Sequence, residues 1–330
     1  MVLSKGKSWI FTLLLISSAC GSESPIISED TLSSFASVTA TREYTVRQQL
    51  TLVNEGDQPP TKANLWVALI RDFPPYQQVH SRIISTDKYT LVTDEYGNEY
   101  AEFDLSDHPP GEEISIEIEY QLSVNEIIYN LGACVGDLPD QFTQPELHIE
   151  SANPQIFGLA KDLSIGKDSV CDQVRAFYDQ AGDELIYTFN RNAWGAQATF
   201  GRMGSDCTEY ASLVIALSRS EGIPARYYEG LLYLKENEKK EGLAQTEHAW
   251  LDVYLPQVGW VALDPTLGRA SINRETYFAH YTPNHIIITT GRNPSTLRGA
   301  SYWSFLYWPG NVTSIRVSNA KWEINLLDPK

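Results

Sequence analysis

Apolar residues alternate with polar ones along the first part of the chain. The alternation runs from about residue 37 to 125 and is clearest over 114–124, where Ile, Tyr, Leu and Val take every second position. A period of two is typical of strands with one buried face. Turns rich in Gly, Pro, Asn and Asp separate the segments, as at 95–99 and 107–111. The pattern predicts an antiparallel β-sandwich over 37–125.

The second half of the chain mixes two periods. Apolar residues fall at helical spacing over 168–185, and 207–220 is apolar on nearly all sides before Gly222 ends the run. These segments predict an amphipathic helix and a buried helix. Alternation then returns in five segments: 226–234, 249–255, 260–263, 286–290 and 314–326. The predicted fold class is therefore α+β, with the β-sandwich preceding a mixed core.

The alternation lapses between these two regions. Three prolines stand within 126–164, which predicts a linker. The second domain is then expected over 165–330, including the C-terminal strands. Residues 20–36 are polar and predict a tether.

Residues 1–19 have the layout of an export signal peptide. A basic head precedes an apolar run at 9–16, which is too short to span a bilayer, and small residues follow before Cys20. This order resembles a bacterial lipoprotein signal, in which Cys20 would carry the lipid, although Ser17 stands where Leu is usual. Ser17 and Ala19 equally suit an ordinary signal peptidase. We expect an exported protein, anchored by lipid to a bacterial membrane on its periplasmic or cell-surface side, or simply secreted.

The net charge is −17, which argues against nucleic acids and anionic membrane surfaces as partners, because both repel an acidic protein. The acidic balance says nothing about fold. No oligomeric state is predicted.

The number of cysteines matters because an exported protein enters an oxidising compartment. If Cys20 carries lipid, three cysteines remain where disulfides form, so at least one thiol is free. The simplest division pairs Cys134 with Cys171 and leaves Cys207 free. The alternative is that all three are reduced and buried.

Cys207 opens the second predicted helix. The first turn of a helix has N–H groups without intrahelical partners, which can hold an anion or stabilise an oxyanion. The helix dipole favours thiolate over thiol and lowers a cysteine pKa. Ser205 or Asp206 would cap this helix. Taken alone, the residue also fits a buried structural cysteine.

A histidine and two carboxylates follow on predicted strands. A thiol nucleophile needs an imidazole to take its proton, and the imidazole needs a carboxylate to hold its orientation. His248 begins one strand and Asp264 ends the next. Asp252 alternates onto the same face as His248 and is the rival carboxylate.

Strand parity tests which carboxylate faces His248. A five-residue loop over 255–259 would pair Tyr254 with Trp260 and so bring Trp250 opposite Asp264. Asp264 would then share the face of His248 and lie diagonal to it. A four-residue loop would turn Asp264 to the opposite face.

Five motifs in order now carry a resemblance: GSDCTEYA at 204–211, GIPAR at 222–226, HAW at 248–250, GWV at 259–261 and DPT at 264–266. Together they resemble the transglutaminase-like superfamily over about 165–270, with Ser205 where the usual motif has Gly. The alternating region 37–124 resembles the β-sandwich that often precedes this domain in prokaryotic members.

The resemblance implies a papain-like α+β core and a catalytic triad of Cys207, His248 and Asp264. It also suggests an aromatic or Gln donor to the oxyanion upstream of the cysteine, for which Trp194 and Gln197 are the candidates. Packing is the alternative role for Trp194.

The function expected from this resemblance is thiol-dependent acyl transfer or hydrolysis on a protein or peptide substrate. Water as acceptor would make a cysteine protease or amidase, and a lysine amine would make a transglutaminase. The alternative is a non-enzymatic binding or assembly module of the cell envelope. No cofactor or metal is expected, since the remaining histidines lack partners at metal-ligand spacings and are interpreted as surface or structural: His80, His108, His148, His280 and His285.

Overall fold

The first six strands form most of a β-sandwich. The computed structural model describes residues 34–189, 195–201, 204–234, 247–292, 294–303, 305–310 and 314–327. The strands are β1 (Ala36–Asn54), β2 (Asn64–Leu69), β3 (Gln77–Ile84), β4 (Thr90–Thr93), β5 (Glu99–Asp104) and β6 (Glu113–Tyr129). One sheet contains β3, β6 and β1, and the other contains β2, β5 and β4, with every pairing antiparallel. Alternate residues of β1 and β6 are buried, as their period of two predicts.

The region that follows contains helices on an antiparallel sheet. In the described part of the chain the α-helices are α1 (Pro154–Ser164), α2 (Val170–Glu184) and α3 (Cys207–Ser220). The sheet is built from β7 (Ala225–Leu232), β8 (Glu247–Leu255), β9 (Gly259–Leu263) and β11 (His285–Thr290), in the order β11-β7-β8-β9. Helix α3 packs on β7 and β8 and is covered by α1 and α2, which explains why it is apolar on nearly all sides. The predicted α+β class is confirmed.

The C-terminal strands return to the sandwich. β12 (Ser301–Trp303), β13 (Leu306–Trp308) and β14 (Ile315–Leu326) were expected to belong with 165–330, but β13 pairs with β2, and β14 pairs with β1 from Tyr44↔Leu326 to Asn54↔Ile315. The short β10 (His280–Tyr281) likewise pairs with β6. The alternation of a strand reports which face is buried but not which sheet it joins, so the sequence could not assign these pairings.

The predicted linker 126–164 contains regular structure. Its first residues complete β6, and its last eleven form α1, whose N-cap Asn153 accepts a hydrogen bond from the backbone N–H of Gln155. Pro154 is one of the three prolines on which the predicted linker depends. It stands at the first helical position, where a proline is tolerated because that N–H has no partner in the helix.

Two buried amide side chains attach the sandwich to the edge strand β11. The Gln77 amide donates to the Ile287 carbonyl (2.9 Å) and accepts from the Ile287 N–H (2.8 Å). Asn98 repeats this exchange with Thr290, at 2.8 Å in both directions. These side chains take the place of a further strand, so the unpaired edge of β11 is satisfied by the sandwich.

Cys134 and Cys171 form a disulfide, with their Cα atoms 5.6 Å apart. It ties the segment after β6 to the first turn of α2. Cys207 is a free thiol of intermediate exposure. None of the helices in the described ranges has the length and apolar character required to cross a bilayer.

Candidate active site

Helix α3 begins at Cys207 because Asp206 caps it. The Asp206 carboxylate accepts from the backbone N–H of Thr208 (3.0 Å), and the Glu209 carboxylate accepts from the backbone N–H of Asp206 (2.8 Å). This reciprocal capping box fixes the first turn. Cys207 is the first helical residue, so its N–H has no acceptor within the helix and is available to an oxygen of a ligand.

Glu209 adds a second carboxyl group to the first turn of α3, two residues after Cys207. Its side chain is buried, and burial together with the neighbouring Asp206 raises the pKa of Glu209 to about 7. Glu209 is not among the residues expected at the site, although Asp-x-x-Glu before an apolar run is the signal of a capping box.

The two candidate oxyanion donors lie upstream of the cysteine. Trp194 lies outside the described residues. Gln197 stands on a short 3-10 helix (Ala196–Thr199) that packs on α3, and its backbone N–H donates to the Glu150 carboxylate at 3.0 Å. The Gln197 side chain is exposed. The structure therefore brings the segment of Gln197 next to α3 but does not show its amide at Cys207.

His248 and Asp264 meet inside the protein. His248 Nε2 lies 2.7 Å from Asp264 Oδ2, and only 6% of His248 and 3% of Asp264 is exposed. Since Nε2 is engaged by the carboxylate, Nδ1 is the ring nitrogen left for the Cys207 thiol, and the interaction of Cys207 with His248 helps to raise the pKa of the imidazole. The order is that of a thiol, an imidazole and a carboxylate, the three groups that a thiol nucleophile requires.

The electrostatics of the pair favour a charged imidazole. Burial alone would lower the pKa of His248, but the Asp264 carboxylate and the contact with Cys207 raise it to about 10. Burial would likewise raise the pKa of Asp264, and the charge and hydrogen bond of His248 outweigh it and hold that pKa well below its usual range. Asp264 is therefore a carboxylate across the physiological pH range.

The register of the β8–β9 hairpin explains how Asp264 reaches His248. Tyr254 pairs with Trp260 and Leu255 with Gly259, so the loop has the odd length that the triad hypothesis requires. Asp264 directly follows β9, on the face that His248 and Trp250 share. Its other oxygen, Oδ1, accepts from the backbone N–H of Leu267 at 2.9 Å.

The rival carboxylate Asp252 is engaged elsewhere. Its two oxygens accept from the Arg226 guanidinium at 3.0 and 2.6 Å, and from the Tyr228 hydroxyl at 2.6 Å. Asp252 is completely buried in this cluster. The parity of β8 placed Asp252 on the correct face, four residues beyond His248, but its carboxylate is hydrogen-bonded to Arg226 and Tyr228.

A second histidine, His285, contacts the Asp264 carboxylate. His285 Nε2 is 3.0 Å from Asp264 Oδ2, the same oxygen that His248 contacts, and His285 is buried. His285 is among the histidines interpreted as surface or structural: it does not lie at the surface, and it has a carboxylate partner that no spacing in the sequence indicates. No signal in the sequence could have found it, because the contact joins the start of β11 to the end of β9 across two intervening strands of the sheet.

Comparison with known proteins agrees with this geometry. The family model of the transglutaminase-like superfamily matches residues 158–265, which include Cys207, His248 and Asp264. The uncharacterized protein YebA of Bacillus subtilis is 27% identical over 171 residues, or 45% of this chain and 23% of that protein. A protein-glutamine gamma-glutamyltransferase of Pseudomonas aeruginosa is 29% identical over 122 residues, or 34% of this chain and 18% of that protein. This chain thus matches only about a fifth of the length of these relatives.

A solved structure extends the likeness to nearly the whole fold. The crystal structure of a candidate cysteine protease from Cytophaga hutchinsonii superposes with a TM-score of 0.65 at 16% identity, covering 89% of this chain and 94% of that one. At that identity the likeness shows the shared fold, β-sandwich included. Residues 158–265 of this chain are thus similar to the transglutaminase-like superfamily, as the five motifs predicted.

Proposed function

We propose that this protein is a thiol-dependent acyl-transfer enzyme whose catalytic residues are Cys207, His248 and Asp264. The observation that carries the proposal is the buried contact of His248 Nε2 with Asp264 Oδ2 at 2.7 Å, in a site where the free thiol of Cys207, at a helix start, also interacts with the imidazole. A structural cysteine would need none of these partners.

The first half of the reaction forms a thioester. The Cys207 thiolate attacks the carbonyl carbon of a peptide or carboxamide bond, and the resulting oxyanion is stabilised by the free N–H of the first turn of α3. The protonated His248 gives its Nδ1 proton to the departing nitrogen, so the C–N bond breaks and an amine or ammonia leaves. Asp264 stabilises the imidazolium and holds the ring in place.

The second half of the reaction releases the acyl group. His248, now neutral, takes a proton from the acceptor, which attacks the thioester carbon, and the Cys207 sulfur leaves as thiolate. Water as acceptor gives hydrolysis, and a primary amine gives an amide crosslink. We favour hydrolysis of a protein or peptide substrate, because water is always present outside the cell. The name of the Pseudomonas relative supports the amine as the alternative acceptor.

The test compares the full exported chain with its Cys207→Ala and Asp264→Asn variants. Hydrolysis is followed as release of fluorescent peptides from labelled casein, and amine transfer as incorporation of a fluorescent primary amine into unlabelled casein. Cys207→Ala should abolish both signals, and Asp264→Asn should lower kcat by about 10³–10⁴-fold, as loss of the carboxylate does in other triads. Circular dichroism checks that each variant folds.

The two assays also separate the alternatives. Signal only in the amine assay would replace hydrolysis by transglutamination. Equal activity of folded Cys207→Ala and wild type would overturn the assignment of the nucleophile. A wild-type protein that turns over neither substrate, and whose Cys207 is not labelled by a thiol-directed acyl probe, would favour the non-enzymatic envelope module.

We also propose that the protein acts outside the cytoplasm, anchored by lipid at Cys20. The Cys134–Cys171 disulfide supports an oxidising compartment, and the export signal supports the anchor. Metabolic labelling with an alkyne fatty acid should mark the wild type and not Cys20→Ser. Equal absence of label from a processed wild type would favour simple secretion.

A further inference from the structure

His285 is held at both ends of its ring. Its Nε2 lies 3.0 Å from Asp264 Oδ2, and its Nδ1 lies 2.8 Å from the Thr282 hydroxyl oxygen. The Tyr281 hydroxyl donates to the His285 carbonyl at 2.7 Å, which fixes the backbone at the start of β11. His285 is 3% exposed, so its ring nitrogens are surrounded by these protein groups and not by bulk water.

The donors and acceptors determine where the proton of His285 sits. A carboxylate can only accept, so Nε2 must carry the hydrogen that faces Asp264. Burial lowers the pKa of His285, which keeps the ring neutral with a single N–H. Nδ1 is then a bare lone pair, and the Thr282 hydroxyl donates to it.

Asp264 consequently accepts three N–H groups. His248 and His285 donate to Oδ2, and the Leu267 backbone N–H donates to Oδ1. Three donors from three separate segments leave the carboxylate no freedom to rotate away from His248. Trp250 closes the space between the imidazoles, with its ring centre 5.9 Å from that of His248 and 4.9 Å from that of His285.

We propose that His285 is a positioning residue of the active site: as the neutral Nε2–H tautomer, with its Nδ1 lone pair bonded by Thr282, it fixes the Asp264 carboxylate that orients His248. The inference rests on the proposed function for its effect on turnover, but the tautomer itself can be measured without activity.

A metal ion is the competing explanation for two histidines and a carboxylate whose ligand atoms lie within 4.8 Å of one another. Two ligand atoms on one tetrahedral zinc ion lie about 3.3 Å apart, given bonds of about 2.0–2.1 Å. The separations of 2.7 and 3.0 Å from Asp264 Oδ2 are shorter than this and are those of hydrogen bonds.

The first experiment reads the tautomer. Long-range ¹H–¹⁵N NMR spectra of protein labelled with ¹⁵N-histidine report which ring nitrogens carry hydrogen, and the chain has six histidines to assign. The signals of His285, identified by their loss in His285→Gln, should show the neutral Nε2–H form in the wild type and in Thr282→Ser. In Thr282→Val the Nε2–H form should persist, because the Asp264 carboxylate still requires a donor, but the Nδ1 resonance should shift because its lone pair loses the hydroxyl donor.

The second experiment reads the effect on turnover. We expect His285→Ala to lower kcat by about 10–100-fold, which is the range for residues that orient a ligating or catalytic histidine or its partner, while KM changes less than about twofold. His285→Gln retains a side-chain N–H donor and should recover part of the loss. Thr282→Val should fall between wild type and His285→Ala, and Thr282→Ser should match wild type.

The outcomes separate this inference from the proposed function. An Nδ1–H tautomer in the wild type, or wild-type kcat in a folded Thr282→Val or His285→Ala protein, overturns the role of His285 and leaves the triad standing. An inactive wild type with the Nε2–H tautomer overturns the proposed function, while the proton assignment of His285 holds. If His285→Ala does not fold, the comparison of Thr282→Val with Thr282→Ser decides.

Discussion

Two buried carboxylates share one face of the β7–β8–β9 sheet, and they have different partners. Asp252 meets the Arg226 guanidinium at 2.6 Å and the hydroxyls of Tyr228 and Tyr76 at 2.6 and 3.3 Å. Asp264 meets two imidazoles and one backbone N–H. Both carboxylates are buried beside a cationic partner, yet only Asp264 belongs to a cluster that includes a thiol.

The partner determines what each carboxylate can do. A guanidinium keeps its proton at every accessible pH, and Asp252 raises the pKa of Arg226 further against the effect of burial. The Arg226–Asp252 cluster is therefore a fixed charge pair that joins the sandwich, through Tyr76, to the sheet. An imidazole can release its proton, so the pair of His248 and Asp264 can change charge during a reaction.

The two carboxylate sites are expected to differ most in how far the loss of the carboxylate lowers the free energy of unfolding. Asp252→Asn leaves the Arg226 charge buried without its counterion and should lower the free energy of unfolding by about 3–5 kcal/mol. Asp264→Asn should cost less, because His248 can become neutral by losing its proton. Urea unfolding at pH 7, followed by tryptophan fluorescence, measures both.

A double substitution supplies the control for this contrast. Replacing the pair together, as Arg226→Met with Asp252→Leu, removes both charges and should restore most of the lost stability. If Asp264→Asn proves as destabilising as Asp252→Asn, His248 does not lose its proton in the folded variant. The distinction between an imidazole that can become neutral and a guanidinium that cannot would then fail.

The pH dependence of stability gives the next contrast. The pKa of His248 is raised from 6.5 to about 10 in the folded protein, so the pair stabilises fully below about pH 6.5 and its contribution is lost as pH rises through 10. One pKa unit corresponds to about 1.4 kcal/mol, so the expected decline from pH 6.5 to pH 10 is a few kcal/mol. Urea unfolding at intervals across this range measures it.

His248→Gln is the matched variant, because it removes the titrating group and keeps a side-chain amide. Its free energy of unfolding should decline less steeply than that of the wild type over the same pH range. Parallel curves for the two proteins would mean that His248 does not carry a raised pKa, and that the two carboxylate sites differ less than their geometry indicates.

The sequence predicted the part of this comparison that depends on neighbouring strands. The period of two is local, and it made the face of Asp264 depend on whether the 255–259 loop is odd or even; the register of the structure is the odd one that the triad hypothesis predicts. The helix start at Cys207 was equally local, since Asp206 and Glu209 form the capping box within one turn.

The partners that distinguish the two sites could not be predicted in this way. Arg226 faces Asp252 across a strand pair, and His285 reaches Asp264 from the opposite edge of the sheet. The return of β14 to β1 is of the same kind, since it joins residues more than 250 positions apart. Such contacts depend on the topology of the whole chain, which the alternation of single segments does not specify.

The smallest expected effect concerns the turn that sets the register of β9, and hence of Asp264, against β8. Gly259 has φ +94°, and a Cβ at this position would meet no atom within 4 Å, so Gly259→Ala carries only the backbone penalty of a left-handed conformation. That penalty is about 1–2 kcal/mol in the free energy of unfolding. Gln257, in the same loop with φ +70°, already bears a side chain. Gln257→Ala should therefore change stability by less than about 0.5 kcal/mol.

Both turn variants should retain wild-type kcat in the folded protein, because the Tyr254–Trp260 pairing and hence the face of Asp264 stay as they are. The measurement is kcat alongside urea unfolding for the two variants. A fall in kcat in Gly259→Ala without loss of the folded fraction would mean that the register had slipped. Since a slip of one residue turns every side chain of β9 to the other face, Asp264 would then leave His248 while Asp252, on β8, kept Arg226.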